Sequence, residues 1–201
     1  LGDRVAVIGG GNVAMDAVRT AVRTGSKNVF ILYRRTRAEM PAAPEEIEEA
    51  IEEGIEMKFL VAPKRVVGKD GKVTGIECTR MELGEPDKSG RRRPIEIKGS
   101  EFIVECDAIL PAIGQEADLS FITKESGVSI NKWNNIDYDQ VTYATNVTGI
   151  FSGGDVVTGP QTVVKAVFAG KEAAKSINLY LMGEDIKAGR AKDWTKDLAD
   201  K

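Results

Sequence analysis

The chain has 201 residues, of which 28 are lysine or arginine and 31 are aspartate or glutamate, giving a net charge of −3. With 42% hydrophobic and 29% charged residues it has the composition of a soluble globular chain, and its acidic balance gives no reason to expect nucleic-acid binding. Because no apolar run reaches the roughly 20 residues that span a bilayer, we expect no membrane association, no signal peptide and a cytoplasmic location.

Histidine is absent from the sequence, and the two cysteines, Cys78 and Cys106, stand far apart. Without histidine there is no Ser-His or Cys-His pair and no imidazole metal ligand, which excludes most hydrolytic and zinc chemistries. The isolated cysteines predict no disulfide framework and no metal cluster, and we expect both to be small buried or half-buried residues. Such a chain suits cofactor chemistry, because hydride transfer needs alignment more than a general base.

A glycine turn near the start of the chain is the most informative segment. An apolar strand runs into Gly9, Gly10 and Gly11, and a helix follows from Asn12. In this pattern Gly9 permits the tight reversal, Gly11 lets a phosphate approach the backbone, and the helix N-terminus supplies N–H groups. The pattern predicts a pyrophosphate site; an ordinary strand–helix junction without a ligand is the alternative.

The following residues complete a βαβ unit of about 30 residues. Gly25 suits the position just after a helix, and residues 28–33 are typical of a buried parallel strand. The residues predicted to form the apolar face of the helix are Val13, Ala14, Ala17, Val18, Ala21 and Val22.

Two arginines, Arg34 and Arg35, end this second strand, and Arg37 follows closely. An NAD site carries an acidic residue near this point, because a carboxylate accepts a hydrogen bond from the ribose 2′-hydroxyl. Guanidinium groups instead match a 2′-phosphate, which carries roughly −1.5 to −2 charges. The sequence therefore predicts a preference for NADP(H), with a solvated basic loop as the alternative.

A second helix is predicted between Pro44 and Gly54, with Ile47, Ala50 and Ile51 as its inner residues. A third parallel strand follows at residues 55–60.

An antiparallel meander is predicted next, because Asp70 and Gly71 lie between alternating segments, which is a strong hairpin signal. A second hairpin through residues 87–93 leads to another strand. We expect the meander to cover the parallel sheet, with arginines 91–93 at a solvated hairpin tip or, alternatively, in a partner-binding patch.

A second strand-to-glycine junction is predicted at residues 149–155, after residues 107–115 resume a buried strand. The long helix behind it has a small and apolar face that would pack closely on a sheet. Its N-terminus near Thr162 is a second anion-facing site, and Asp155 could accept from a sugar or ribityl hydroxyl or serve as a helix cap or turn residue. The residues of the helix face are Val163, Ala166, Val167, Gly170, Ala173, Ala174 and Ile177.

Four motifs in this order resemble the small subunit of glutamate synthase and its relatives, which include NADPH-dependent ferredoxin oxidoreductases and the flavin-NADPH module of dihydropyrimidine dehydrogenase. They are Gly-Gly-Gly-Asn-Val-Ala-Met-Asp, Leu-Tyr-Arg-Arg with the Met-Pro after it, Ala-Ile-Gly-Gln, and Gly-Ile-Phe-Ser-Gly-Gly-Asp. The resemblance covers residues 1–183 and implies an α/β fold, a Rossmann-like parallel sheet with an antiparallel β-meander, followed by a partial FAD-binding segment. It implies an NADPH-binding domain at 1–111, the C-terminal part of an FAD-binding domain at 112–183, and a charged tail at 184–201.

The resemblance implies a flavoprotein oxidoreductase that passes hydride from NADPH to FAD. Electrons then go on to iron–sulfur centres or to an electron-acceptor subunit such as the large subunit of glutamate synthase, and no catalytic side chain is implied. The implied cofactor-binding residues are Gly9, Gly10, Gly11, Asn12 and Val13 for the pyrophosphate, Arg34 and Arg35 for the 2′-phosphate, Ala112, Ile113 and Gly114 along the nucleotide path, and Gly153, Gly154, Asp155, Gln161 and Thr162 for FAD and the nicotinamide end.

Two parts of that family's pattern do not occur in the sequence, namely an earlier glycine fingerprint for FAD and the cysteine-rich iron–sulfur segments. We therefore expect a portion of a longer flavoprotein that is inactive alone and binds FAD only in the complete protein. The part of the surface of residues 112–183 that would face the rest of the flavoprotein is expected to be exposed or covered by a second copy in a homodimer. The alternatives are a non-catalytic NADP-binding sensor or docking module and an ordinary Rossmann dehydrogenase.

Overall fold

The computed structural model describes residues 1–87 and 90–190, and the chain divides into two compact units, Leu1–Ile113 and Gly114–Lys201. Lys88 and Ser89 of the predicted second hairpin and residues 191–201 of the predicted tail lie outside the described residues. In chain order the strands and helices are β1 (Arg4–Ile8), α1 (Asn12–Arg23), β2 (Asn28–Tyr33), α2 (Pro44–Glu52), β3 (Glu56–Phe59), β4 (Val61–Lys69), β5 (Lys72–Pro86), β6 (Arg92–Glu96), β7 (Phe102–Glu105), β8 (Ala108–Pro111), α3 (Asp155–Thr158) and α4 (Val163–Leu181).

A four-stranded parallel sheet in the order β3-β2-β1-β8 organises the first unit. The central strands β1 and β2 are buried on both faces, as expected for a parallel sheet that is covered on both sides. Helices α1 and α2 cover one face, where they pack on Val5, Val7 and Ile31. This arrangement confirms the α/β fold and the βαβ unit that the sequence predicts.

The inner faces of the two helices differ in detail from the prediction. In α1 the buried positions include Met15, whereas Val13 is 69% exposed. Successive residues of an α-helix are rotated by about 100° around its axis, so Val13 lies on a different side of α1 from the buried residues Ala14 and Met15. In α2, Ile47 is buried but Ile51 is exposed. The predicted helices are thus confirmed, and the roles of Val13 and Ile51 as core residues are wrong.

An antiparallel sheet covers the other face of the parallel sheet, as the sequence predicts. Strands β4, β5 and β6 lie side by side, and β7 also pairs with β5. Cys78 and Cys106 lie fully buried in the core between the sheets, together with Phe30 and Leu32 of β2. Burial raises the pKa of both thiols, that of Cys78 to about 11, so both cysteines act as small apolar residues there.

The second unit is mostly irregular chain around the long helix α4. A strand is predicted before Gly153, but residues 114–190 form no strand and their β-pairing is limited to isolated bridges such as Ala144 with Phe151. The predicted face of α4 is also exposed, with Val163 79% and Val167 53% accessible. The prediction that this face packs on a sheet is wrong for the described residues, because the second unit forms no sheet there on which it could pack.

Two other features, a membrane-spanning helix and a metal-binding cluster, are absent from the part of the chain that the structure describes. In residues 1–87 and 90–190, no helix is long and apolar enough to cross a membrane. In the same two ranges, no three His, Cys, Asp or Glu side chains are grouped so that they could hold a metal ion.

The start of β1 is fixed to the turn before β8 by Asp107. Its carboxylate accepts hydrogen bonds of 2.8 Å from the backbone N–H and from Nη2 of Arg4. The bond from the Arg4 side chain is the largest cause that holds the pKa of Asp107 below its usual range. Since the unfolded pKa is about 3.9, the stabilisation is complete above that pH and is lost as the pH falls through the folded pKa.

We therefore expect Asp107→Asn to be less stable than the wild type near neutral pH, with a difference that shrinks as the pH falls below about 4. Chemical denaturation between about pH 6 and pH 2.5 measures this difference. Asp70→Asn, on the exposed β4–β5 turn, is the control for removal of a carboxylate. A constant difference across this pH range would contradict the assigned linkage.

Candidate functional site

In the glycine turn between β1 and α1, close packing within the protein requires a glycine at two positions. Gly9 has φ +142°, and a Cβ atom there would lie 2.3 Å from the carbonyl oxygen of Ala112. At Gly10 a Cβ atom would lie 2.6 Å from the Tyr33 ring. Ala112 is held in place because its N–H donates to the carbonyl oxygen of Ile8 at 2.8 Å. The turn is therefore packed tightly between the ends of β2 and β8.

Gly11 is different, because nothing within the fold requires a glycine there. Its backbone is extended at φ −96° and ψ 178°, which any residue can adopt. A Cβ atom would meet only Pro41, at an ordinary 3.8 Å. Gly11 is the N-cap of α1 and supplies no side-chain capping bond, and the following Asn12 and Val13 are exposed. The exposed first turn of α1, with N–H groups that no side chain caps, fits a phosphate group.

The loop that contains Met40 and Pro41 is hydrogen-bonded to this glycine turn and to Asn12. Oδ1 of Asn12 accepts from the N–H of Ala43 at 2.9 Å, and the N–H of Ala42 donates to the carbonyl oxygen of Gly10 at 3.1 Å. The side-chain oxygen of Asn12 thus orients the loop and the start of α2. Residue-by-residue reasoning missed this contact, although the Met-Pro pair in the family motif was a signal for it.

The two arginines at the end of β2 have different surroundings. Arg34 is exposed, whereas Arg35 is only 5% exposed. Nε of Arg35 donates to the carbonyl oxygen of Arg92 at 2.7 Å, and its Nη2 lies 2.9 Å from Oδ2 of Asp87. A direct contact with the 2′-phosphate remains a prediction for both arginines. Arg34 is the more accessible of the two, because Nε and Nη2 of Arg35 are already hydrogen-bonded to the β5–β6 hairpin.

The loop after these arginines is ordered by a capping box. Oε2 of Glu39 accepts from the N–H and the hydroxyl of Thr36, at 3.1 Å and 2.6 Å. The hydrogen bond from the Thr36 side chain, with a smaller contribution from the charge of Arg92, holds the pKa of Glu39 below its usual range. The Tyr33 hydroxyl donates to the carbonyl oxygen of Glu39 at 2.7 Å. The spacing Thr-x-x-Glu was the available sequence signal for this loop.

The second glycine junction brings three predicted residues together. Oδ1 of Asp155 accepts from the N–H of Gln161 at 3.1 Å, and Thr162 caps α4 by accepting from the N–H of Lys165. Gly154 has φ +81°, which strongly favours glycine. Asp155 therefore fixes the turn before α4, which is one of the two roles considered for it from the sequence. Its carboxylate is exposed.

The remaining predicted residues differ in how tightly they are packed. A Cβ atom at Gly153 would lie 3.1 Å from the Tyr143 ring and 3.2 Å from Cβ of Ala169, so this position is tightly packed. Ile113 and Gly114 are exposed, and the boundary between the two units lies between them.

The glycine turn and its sheet define the first unit as a Rossmann-type α/β structure. The family model for pyridine nucleotide-disulphide oxidoreductases matches residues 1–170, and the chain belongs to that family. Among solved structures, thioredoxin reductase from T. acidophilum has a TM-score of 0.69 and 26% identity, covering 90% of this chain and 52% of that one. Thioredoxin reductase from Lactococcus lactis has a TM-score of 0.72 at 22% identity, over 89% of this chain and 53% of that one, which supports the fold alone.

Curated relatives match nearly the whole chain. It is 52% identical over 180 residues to the beta subunit of the NADP(+)-dependent formate dehydrogenase of Moorella thermoacetica, covering 90% of this chain and 25% of that protein. It is 44% identical to subunit beta of the NADPH-Fe(3+) oxidoreductase of Geobacter sulfurreducens, covering 96% and 32%. For the small chain of glutamate synthase [NADPH] of Azospirillum brasilense the identity is 42%, covering 89% and 37%. The resemblance to the glutamate synthase small subunit is confirmed, and the chain spans 25% to 37% of these relatives.

Proposed function

We propose that this chain is the pyridine-nucleotide-binding portion of an FAD-dependent oxidoreductase that passes hydride from NADPH to flavin. The observation that carries the proposal is Gly11, a glycine that the fold does not require and that stands at the uncapped start of α1. Further support comes from the family and from relatives whose names include NADP(+) or NADPH. Residues 1–111 are the proposed NADPH-binding domain.

The residues of the first unit bind and orient the nucleotide in this proposal. The N–H groups at Gly11, Asn12 and Val13 donate to the pyrophosphate, whose negative charge the helix N-terminus favours. Gly9 and Gly10 keep the turn tight enough for this approach. The exposed guanidinium of Arg34 binds the 2′-phosphate, and Ala112 and Ile113 lie along the nucleotide path. When bound, NADPH supplies a hydride and FAD accepts it; no acid or base of this chain is assigned to the step.

Residues 112–183 are the proposed C-terminal part of the FAD-binding domain, which is complete only in the whole protein. The Gly153-Gly154-Asp155 turn and the start of α4 at Gln161 and Thr162 would hold the flavin end. The positive φ of Gly154 favours a residue without a side chain, and both the Asp155 carboxylate and the predicted face of α4 are exposed. These features fit the close approach of a flavin.

The missing FAD and iron–sulfur region, or a second copy of the chain, is the proposed cover for the α4 face. Electrons would leave through iron–sulfur centres to an acceptor subunit, such as a glutamate synthase large subunit.

Anaerobic stopped-flow absorbance of the full-length protein tests this function. We expect bound flavin that is reduced by NADPH much faster than by NADH. A protein that binds NADPH but contains no flavin would support the alternative, a non-catalytic NADP-binding sensor. Failure to bind NADPH would contradict both functions.

Arg34→Gln should weaken NADPH binding about 10- to 100-fold, because a charge-assisted hydrogen bond to phosphate contributes about 1.5–3 kcal/mol. NADH affinity should stay unchanged, since NADH has no 2′-phosphate. Calorimetric titration with both nucleotides measures the two affinities. Arg65→Gln, on the antiparallel sheet, is the matched control. An equal loss for both nucleotides would mean that Arg34 supports the fold of the site and does not recognise the phosphate.

A further inference from the structure

The loop of residues 139–143 lies against the second glycine turn. The N–H of Ser152, the residue before Gly153, donates to the carbonyl oxygen of Tyr143 at 2.8 Å. The ring of Tyr143 packs on Gly153 so closely that a Cβ atom there would lie 3.1 Å from it. Tyr143 therefore contacts this turn through both its backbone and its side chain.

Tyr143 itself has a strained backbone. Its φ is +60°, a region that a bulky side chain rarely adopts, and such a conformation persists only where surrounding contacts hold it. The N–H of Tyr143 donates to the carbonyl oxygen of Asp139 at 2.7 Å. Oδ1 of Asp139 accepts from the N–H groups of Val141 and Thr142, at 3.0 Å and 2.8 Å. Asp139 thus closes the 139–143 loop, but these bonds do not fix the loop to its neighbours.

Arg190 joins the 139–143 loop to helix α4. Its Nη1 donates to the carbonyl oxygen of Val141 at 2.6 Å, and its Nη2 donates to the carbonyl oxygen of Glu172 at 2.9 Å. The Arg190 side chain is only 8% exposed, which is uncommon for arginine. Because the donors of a guanidinium have a rigid planar arrangement, this one side chain fixes the position of the loop relative to the helix.

Ser176 makes a second connection between the same two elements. Its Oγ donates to the carbonyl oxygen of Thr142 at 2.5 Å, and both residues are fully buried. Ser176 lies four residues after Glu172 and therefore on the same face of α4. The carbonyl groups of the two residues directly before Tyr143 are thus both bonded, one to Arg190 and the other to Ser176.

We propose that Arg190 is a positioning residue for the flavin-binding turn, because it fastens the 139–143 loop to α4 and so holds strained Tyr143 against Gly153. The inference rests on the proposed function, in which this turn holds the flavin end. It adds Arg190, Ser176 and Tyr143 to the residues that the sequence motifs predict. Arg190 acts through Tyr143, and no contact with the flavin is assigned to it.

The affinity of the full-length apoprotein for FAD, measured by quenching of FAD fluorescence, tests this role. We expect Arg190→Lys to weaken FAD binding about tenfold and Ser176→Ala about fivefold. Lysine keeps the positive charge but lacks the two diverging donors that reach the loop and the helix. The visible circular dichroism of the bound flavin should change in both variants, because its surroundings shift. NADPH affinity should be unchanged, since the proposed nucleotide site belongs to the other unit.

A double-mutant cycle with Tyr143 separates positioning from general stabilisation. Tyr143→Leu removes the ring that packs on Gly153, whereas Tyr143→Phe keeps it and should bind FAD as the wild type does. If Arg190 acts through Tyr143, Arg190→Lys should cause no further loss of FAD affinity in the Tyr143→Leu background. Losses that multiply would mean that Arg190 stabilises the unit independently, which overturns the proposal. A loss in Tyr143→Phe equal to that in Tyr143→Leu would overturn the role of the ring.

Lys187→Gln is the matched control for a cation on the same segment. Lys187 lies 3.5 Å from Oδ2 of Asp139, and its side chain is 64% exposed. Because exposed ion pairs contribute little, FAD affinity should not change. Weakening equal to that in Arg190→Lys would mean that positive charge near the loop, and not the buried hydrogen bonds of Arg190, supports the turn, which overturns the proposal.

The remaining outcomes separate this inference from the proposed function. A wild-type full-length protein that binds no FAD overturns the proposed function and the inference with it. A wild type that binds FAD, with unchanged affinity in Arg190→Lys and Ser176→Ala, overturns the inference alone. Thermal denaturation identifies variants that do not fold. Ser176→Ala keeps both hydrogen bonds of Arg190, so it remains informative if Arg190→Lys unfolds.

Discussion

Replacing Gly11 with alanine should remove most of the NADPH affinity while leaving the fold nearly intact. The backbone at Gly11 is extended, and a Cβ atom would have no neighbour in the protein closer than 3.8 Å. Alanine at an N-cap costs at most about 1 kcal/mol relative to glycine. The methyl group would, however, fill the space through which the pyrophosphate reaches the N–H groups of α1. Losing one or two charge-assisted bonds of about 1.5–3 kcal/mol each predicts a loss of about 100-fold.

Gly9→Ala is the informative comparison for this prediction. Here φ is +142° and the new methyl group would lie 2.3 Å from the Ala112 carbonyl oxygen, so we expect a loss of stability of about 3 kcal/mol. Thermal denaturation and calorimetric titration of both variants distinguish a damaged fold from a blocked ligand site. Gly11→Ala with wild-type NADPH affinity would remove the main support for the pyrophosphate site.

Replacing Asp155 with alanine in the complete protein should reduce flavin content and slow flavin reduction on the order of 100-fold. The reason is geometric, because a displacement of about 1 Å between reacting groups can cost that factor. NADPH affinity should fall much less, since the glycine turn and Arg34 lie in the other unit of the chain. Absorption spectra and stopped-flow reduction measure flavin content and reduction rate.

Asp155→Asn separates the two roles of this side chain. Its amide oxygen can still accept from the Gln161 N–H, so the turn before α4 is kept, but the second carboxylate oxygen is replaced by a donor. If Asp155 contacts the flavin, the asparagine variant also loses flavin. Wild-type flavin content and reduction rate in this variant would leave Asp155 as a turn residue only.

The parts of the fold that short-range patterns encode could be predicted from the sequence. The glycine turn, the helix end at Gly25 and the Asp70-Gly71 hairpin are local features, each defined by residue types within a few positions. The parallel sheet followed from continuous apolar runs separated by an amphipathic helix. Local periodicity was less reliable at the ends of helices, where Val13 and Ile51 face solvent despite their apolar character.

Contacts between distant parts of the chain decided the rest. The sequence shows Arg34 and Arg35 as two adjacent, identical side chains at the end of a strand. Only the folded chain brings Asp87 and Arg92 to Arg35 and leaves Arg34 exposed. Likewise, identical glycines at 9 and 11 differ because Ala112 packs against one and not the other. Residue type and spacing determine which contacts each side chain can make. Packing with distant parts of the chain determines which of two equivalent groups is already engaged within the protein and which stays accessible to a ligand.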